Sequence, residues 1–144
     1  MQQHATASLH ELVYAMDAYA DRVLTTRFGV DRNLFGFLVP LAAGTMDVTR
    51  LAEQLNLTRA AVSKRVPRLV RDGWLVASDD PHHGRRVLLT LTPPGRELVR
   101  GAGALLDQRF TALLADAEID GPAFTHQLRT LIDAVRALHD EETS

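Results

Sequence analysis

Apolar residues recur at intervals of three and four along three long segments, and this spacing predicts amphipathic α-helices. The segments are residues 8–27, 93–117 and 121–138. Ser8 and Glu11 have the spacing of a capping box that would start the first helix, and Gly29 would end it. Pro93 predicts the start of the second helix, because proline loses nothing in the first helical turn. Asp120 is placed to cap the third.

Between the first two long segments, a shorter helix is predicted at residues 32–42, with Asp31 as its cap. Pro40 lies inside this helix and has no backbone N–H to donate. The helix is therefore expected to kink or to end near Val39. Residues 45–46 then predict a short piece of strand.

Two further helices are predicted back to back, at residues 48–55 and 59–71, from their helical spacing of apolar residues. Asp47 and Thr58 are their expected caps, and a tight turn at Asn56 would join them. A helix, a tight turn and a second helix in this order are typical of a helix-turn-helix.

A β-hairpin is predicted directly after these two helices. Residues 74–78 and 87–91 have the composition of paired strands, and the polar residues 79–86 have that of a projecting loop. A hairpin in this position is the wing of a winged helix-turn-helix. We therefore expect a fold that is mainly α with a small β-hairpin wing.

The domain organisation follows from the order of the elements. Residues 31–92 are expected to form the winged helix-turn-helix domain, and residues 1–30 and 93–144 a helical dimerisation region. The outer helices carry more apolar surface than the winged domain can cover. Mutual packing of two copies across a two-fold axis would bury that surface, so a homodimer is expected.

The composition limits the classes of protein that the chain can represent. Its 144 residues, 46% of them hydrophobic, suffice for a compact core, and no run of about 18 apolar residues predicts a membrane span. The first residues lack the basic and apolar regions of a signal peptide. The absence of cysteine excludes disulfides and thiolate-bound metals, and it agrees with a cytoplasmic location.

The positive charge of the chain is concentrated in one stretch. Residues 58–86 hold seven basic and three acidic residues, a net charge of +4. The whole chain carries −2, so the remainder carries −6. A basic island in an acidic protein favours contact with phosphates. The alternative is a solvated, arginine-rich helix face.

The second of the paired helices has two distinct faces. Val62, Val66, Leu69 and Val70 fall within about one third of the helical wheel and are expected to be buried. The opposite face holds Ala60, Ser63, Lys64, Pro67, Arg68 and Arg71. Small side chains would let this face approach a duplex closely, and the long cations would reach guanine edges or backbone oxygens.

Two adjacent arginines, Arg85 and Arg86, lie at the end of the predicted loop. A narrow A·T minor groove attracts arginine, so both side chains are expected to contact DNA there. The alternative is that they are ordinary surface charges on a hairpin.

Two runs, VTRLAEQLNLTRAAVSKRVPRLVRDGWLV and GRRVLLTLTPPGREL, carry a resemblance to the MarR family of bacterial transcriptional regulators. The resemblance covers residues 44–99 most specifically, and the flanking helices agree with it in length and order. It implies an obligate homodimer, and a repressor that is often released by a small phenolic or anionic ligand. It also implies a recognition helix in the major groove and a wing tip in the minor groove. The DNA-binding positions that it implies are Thr58, Arg59, Ala60, Ser63, Lys64, Arg68 and Arg85.

Two positions depart from the pattern of that family. His83 stands two residues before the wing arginine, where the family usually has Asp. The wing would then be held differently or would respond to protonation. Pro67 stands where the family usually has a helix-compatible polar residue, and a bend there would alter the DNA sequence that is read.

Aromatic and polar residues on the first two helices predict a site for a small aromatic or anionic effector. A cleft between the dimer helices and the winged domain would be lined by His10, Tyr14, Tyr19, Arg22, Phe35 and Phe37. The alternative is that these aromatic side chains are ordinary core.

Other functions have little support in the sequence. His82 and His83 have no carboxylate or cysteine at metal-ligand spacing, and are expected to be solvated. A Gly-rich phosphate loop and a Ser/His/Asp elbow are absent, so neither an enzyme nor a cofactor is expected. The alternative to a DNA-binding regulator is a winged-helix module that binds protein. Its binding would not fall steeply with salt as DNA binding does.

Overall fold

The computed structural model describes residues 4–143, and this part of the chain contains six α-helices, one 3-10 helix and three strands. In chain order the elements are α1 (Ala5–Phe28), α2 (Arg32–Leu38), a 3-10 helix (Val39–Ala43), β1 (Met46–Asp47), α3 (Val48–Leu55), α4 (Arg59–Arg71), β2 (Leu75–Asp80), β3 (His83–Leu91), α5 (Pro93–Asp116) and α6 (Gly121–Thr143). The predicted fold class is confirmed. None of the helices described is both long and apolar enough to cross a membrane.

The chain divides into two compact units, one that ends at Ala104 and one that begins at Leu105. Helix α5 therefore contributes to both. The dimerisation region predicted at residues 1–30 and 93–144 stays a prediction, and its residues 1–3 and 144 lie outside the described part of the chain.

The core of the first unit takes side chains from every element around the helix-turn-helix. Its largest fully buried side chains are Leu24, Phe37, Leu38, Leu51, Val62, Leu75 and Leu89. Because these come from α1 to α4 and from both strands of the hairpin, helix α4 and the wing are fixed to one core. Truncation of such a leucine to alanine typically costs about 2–5 kcal/mol.

Four predicted helix caps are present. The side chains of Asp31, Asp47, Thr58 and Asp120 each accept a hydrogen bond from the backbone N–H three residues further on, at 2.8, 2.7, 3.1 and 3.1 Å. Such caps contribute about 1 kcal/mol each. Asn56 ends α3 in the left-handed conformation, with φ 53°. The helix-turn-helix thus begins and turns at the predicted residues.

The predicted start of α1 is wrong, and its predicted end is confirmed. The helix begins at Ala5, after His4, whose side chain makes no capping hydrogen bond, and Ser8 lies inside it. Alanine is the strongest helix former, so Ala5 and Ala7 extend the helix by almost one turn. At the other end, Gly29 stops the helix with φ 68°.

Pro40 ends a helix as predicted. The α-helix stops at Leu38, and the chain continues as the 3-10 helix Val39–Ala43. The last helix differs from its prediction, because α6 continues past Leu138 to Thr143.

Strand β3 lies in the middle of a three-stranded antiparallel sheet, between β1 and β2. Met46 of β1 pairs with Leu89, and Leu75 of β2 pairs with Leu91. The wing, β2 with β3, is thereby joined through β1 to the start of α3.

The prediction of a loop at residues 79–86 is wrong. Strand β2 continues to Asp80 and β3 begins at His83, so that only Pro81 and His82 link the two strands. A polar composition does not prevent strand formation, since the hydrogen bonds of a sheet use the backbone alone. Arg85 and Arg86 therefore lie in β3.

The strand pairing is irregular near the tip of the wing. Asp79 pairs with Val87, but Asp80 pairs with His83, so residues 84–86 have no partner on β2. Extra residues of this kind form a bulge, which redirects the side chains around it.

Candidate nucleic-acid interface

The side of α4 that the sequence predicts to face DNA is exposed to solvent. Val62, Val66 and Leu69 are buried, whereas Val70 lies at the edge of the apolar face and is 39% exposed, which corrects its predicted burial. The predicted DNA-binding residues of the helix and its cap are all exposed: Thr58, Arg59, Ala60, Ser63, Lys64 and Arg68. The helix continues through Pro67 as one element.

A groove of about 340 Å³ runs between α4, the start of α3 and the wing. Its lining residues are Asp47, Val48, Thr49, Arg59, Ala60, Ser63, Arg85, Arg86 and Val87. The groove thus brings together five of the eight predicted DNA-binding residues, from two separate elements. Lys64 and Arg68 of α4, and its cap Thr58, lie outside the groove.

Positive charge dominates this surface. Within residues 4–143, Arg59, Lys64 and Arg85 form no ion pair. Arg68 lies 3.7 Å from the carboxylate of Asp72, but its side chain is 81% exposed, so solvent screens the pair. These cations are available to an anionic partner.

Arg86 differs from the other cations of the groove. Its Nε lies 3.4 Å from Oδ2 of Asp47, the residue that caps α3. Sequence reasoning missed Asp47 and Thr49 as groove residues. The local sequence does not indicate that these two residues line a groove, because their position depends on the pairing of β1 with β3 in the folded sheet.

The tip of the wing carries exposed histidines. The backbone N–H of His82 donates a 2.9 Å hydrogen bond to Oδ1 of Asp80, which holds the turn. His82 and His83 are both exposed. Among the described residues, no group of three or more His, Asp or Glu side chains could hold a metal ion.

The residues predicted to bind an effector do not line the groove described above or the second cleft described below. His10, Tyr14, Tyr19 and Arg22 lie exposed on α1, and Phe35 is half-buried on α2. None of them lines the groove, nor a cleft of about 240 Å³ formed by Asp17, Ala18, Asp21, Arg32 and Asn33. Phe37, in contrast, belongs to the core.

Helices α1 and α6 expose apolar faces. On α1 these residues are Leu9, Leu12, Val13, Tyr14, Met16 and Tyr19. On α6 they are Leu131, Ile132, Val135 and Leu138, and none of the residues of α6 is buried. Such faces are uncommon on a monomeric protein and mark surfaces of interaction.

Comparison with known proteins gives a family. Residues 28–86 match the model of the MarR family. A Thauera aromatica protein assigned as a transcriptional regulatory protein for the hcr operon is 36% identical over 101 residues, which cover 67% of this chain. The chain spans 61% of the length of that relative.

Solved structures share the fold over nearly the whole chain. A MarR/EmrR family transcriptional regulator from Acinetobacter sp. ADP1 is 25% identical, with a TM-score of 0.77 and coverage of 96% of each chain. A MarR family transcriptional regulator from Streptomyces coelicolor, solved in complex with DNA, is 24% identical, with a TM-score of 0.73. That alignment covers 94% of this chain and 84% of the other. Both the sequence match across the helix-turn-helix and the shared winged fold establish that this chain belongs to the MarR family.

Proposed function

We propose that the protein is a transcriptional regulator, and specifically a repressor, that binds double-stranded DNA in a sequence-specific manner. The observation that carries this proposal is the groove between α4 and β3. There Arg59 and Arg85, which have no ion-pair partner in residues 4–143, line the groove together with the small side chains of Ala60 and Ser63. Small residues beside cations suit the close approach of a polyanion.

In this proposal, α4 lies in the major groove. Ala60 and Ser63 allow the helix to approach the base edges, where the Ser63 hydroxyl can donate or accept a hydrogen bond. Thr58, Arg59, Lys64 and Arg68 contact phosphates or guanine edges. Arg85 enters the adjacent minor groove from β3, and its neighbour Arg86 supports it.

The protein acts as a homodimer in this proposal. Helix α6 has 23 residues, none of them buried, and an apolar stripe along one face. Most helical stability in proteins comes from packing of such a face, so α6 needs a partner surface. A second copy supplies one with two-fold symmetry, and two recognition helices would then read half-sites about 10 bp apart.

Release by a small aromatic or anionic molecule is a further part of the proposal. In this proposal the ligand binds where α1 meets a second copy. The exposed His10, Tyr14, Tyr19 and Arg22 of α1 and the half-buried Phe35 of α2 offer aromatic rings and polar groups to it. Thermal-shift measurements with a panel of aromatic acids test it. A stabilised protein is expected, and a flat response across the panel would count against it.

Selection of bound duplexes from a random pool tests the proposed function. The expected product is a pseudo-palindromic sequence with two half-sites, and its binding should weaken steeply with salt. A winged-helix module that binds protein would enrich no sequence. The proposed function places the protein in the cytoplasm with its DNA, and it requires no catalytic step.

A further inference from the structure

We infer that Arg86 is a positioning residue that anchors the wing to the start of α3, and that Arg85 is the wing side chain that meets DNA. This inference rests on the proposed function. The sequence predicts a DNA contact for both arginines, whereas this inference assigns the contact to Arg85 and the anchoring of the wing to Arg86.

The carboxylate of Asp47 has a partner on each oxygen. Oδ1 accepts the backbone N–H of Arg50 at 2.7 Å, which caps α3, and Oδ2 lies 3.4 Å from Nε of Arg86. The Asp47 side chain is only 20% exposed. Because a shielded carboxylate is costly without a counter-charge, Asp47 favours the conformation of the wing that keeps Arg86 beside it.

Strand pairing explains why Arg86 reaches Asp47 and Arg85 does not. Asp47 pairs with Leu88 in the ladder between β1 and β3, and Arg86 precedes Leu88 by two residues. Residues two apart on a strand share a face, so Arg86 is the diagonal neighbour of Asp47. Arg85 occupies the alternate position, and its side chain forms no ion pair or hydrogen bond with any other described residue.

The ion pair between Arg86 and Asp47 lies in the part of the wing where β3 is not paired with β2. Residues 84–86 have no partner on β2, so ladder hydrogen bonds to that strand do not hold them. The link from Arg86 to Asp47 holds this part of β3 against α3. It fixes the direction of Arg85, the residue directly before it, relative to α4.

The charges of the two arginines and of Asp47 support the same division of roles. Asp47 neutralises Arg86, and the pair presents little net charge to a phosphate. Arg85, with no acidic partner in residues 4–143, presents a full positive charge. Loss of Arg85 should therefore remove a DNA contact, whereas loss of Arg86 should loosen the wing.

Amide hydrogen exchange of the free protein tests the anchor. Arg86→Ala and Asp47→Asn should each speed exchange in residues 83–88 by up to about five-fold, the effect of losing a partly exposed ion pair. Asparagine is also a good N-cap, so Asp47→Asn keeps the cap of α3. Arg85→Ala is the matched control and should leave these rates unchanged. Unchanged rates in either Arg86→Ala or Asp47→Asn would overturn the anchor.

The salt dependence of duplex binding tests the division of roles. Arg85→Ala should lower the slope of log affinity against log salt by about 1.8, because the homodimer loses one cation, worth about 0.9, at each of its two half-sites. Arg86→Ala should weaken binding about two- to five-fold and keep the slope of the wild type. A slope for Arg86→Ala that falls as far as that of Arg85→Ala would overturn the inference, as would an unchanged slope for Arg85→Ala.

Failure of the proposed function gives a different result from failure of this inference. In that case the wild-type protein binds no selected duplex at all. The exchange measurement needs no DNA, so it still decides whether Arg86 and Asp47 anchor the wing.

Discussion

The guanidinium of Arg65 lies 4.6 Å above the ring centroid of Phe37, and it donates a 3.2 Å hydrogen bond to the backbone carbonyl of Asn33. Phe37 is buried in the core, and both partners belong to α2. One arginine of the recognition helix thus faces inward and fixes α4 to α2. The cations on its other face remain exposed.

Arg65→Ala is expected to destabilise the fold without removing a DNA contact. Loss of the cation–π contact and of the hydrogen bond should lower the free energy of unfolding by about 1–2 kcal/mol. Urea denaturation measures this change. Arg59→Ala is the matched control, because Arg59 is exposed and its replacement should leave the unfolding free energy nearly unchanged. Equal stability of the two variants would contradict the inward role of Arg65.

Arg59→Ala and Lys64→Ala should each weaken duplex binding. Each change is expected to cost about 1–3 kcal/mol per half-site and to lower the salt slope by about 1.8, because the homodimer loses one cation, worth about 0.9, at each of its two half-sites. Fluorescence anisotropy with a labelled duplex measures both quantities. The control is Arg129→Ala on α6, an exposed arginine far along the chain from the groove. If Arg129→Ala weakens binding equally, the interface lies elsewhere.

Val135→Glu on α6 should convert the dimer to a monomer. Val135 is 63% exposed and lies in the apolar stripe, where a buried glutamate would face the apolar surface of the second copy. Ala137→Glu introduces the same charge on the opposite side of α6 and should keep the dimer. Sedimentation equilibrium distinguishes the two. A dimeric Val135→Glu variant would show that this stripe is not the interface.

Gly95→Ala should destabilise the junction between the wing and α5. A Cβ at Gly95 would overlap the backbone carbonyl oxygen of Trp74, which already accepts a 3.0 Å hydrogen bond from the Thr92 hydroxyl. Overpacking of this kind costs about 1–3 kcal/mol. Gly103→Ala, in the same helix, has nothing within 4 Å and should instead stabilise the protein by about 0.5–1 kcal/mol. Thermal unfolding of both variants tests the opposite signs.

Local sequence determines the parts of this fold that sequence reasoning predicts well. Asp47 and Thr58 cap their helices because each bond joins residues only three apart. The partner of Arg86 could not be predicted in this way, since it depends on the pairing of β1 with β3. The same limit applies to Arg65, whose inward direction follows from the position of Phe37 in the core.

The wing shows the limit of composition as a guide. The polar residues 79–86 have the composition of a loop, yet all of them except Pro81 and His82 lie in β2 or β3. Their irregular register arises between Asp79 and Asp80, and no single residue type there predicts it. The side chains of the basic surface were predictable from the sequence, whereas their division into paired and unpaired cations was not.

Sedimentation of a labelled duplex with the purified protein tests whether a homodimer binds DNA. At low ionic strength, the expected species is a complex of two protein chains on one duplex, which dissociates as salt is raised. A protein that sediments as a monomer and leaves every duplex of a random pool unshifted at low ionic strength would contradict this expectation.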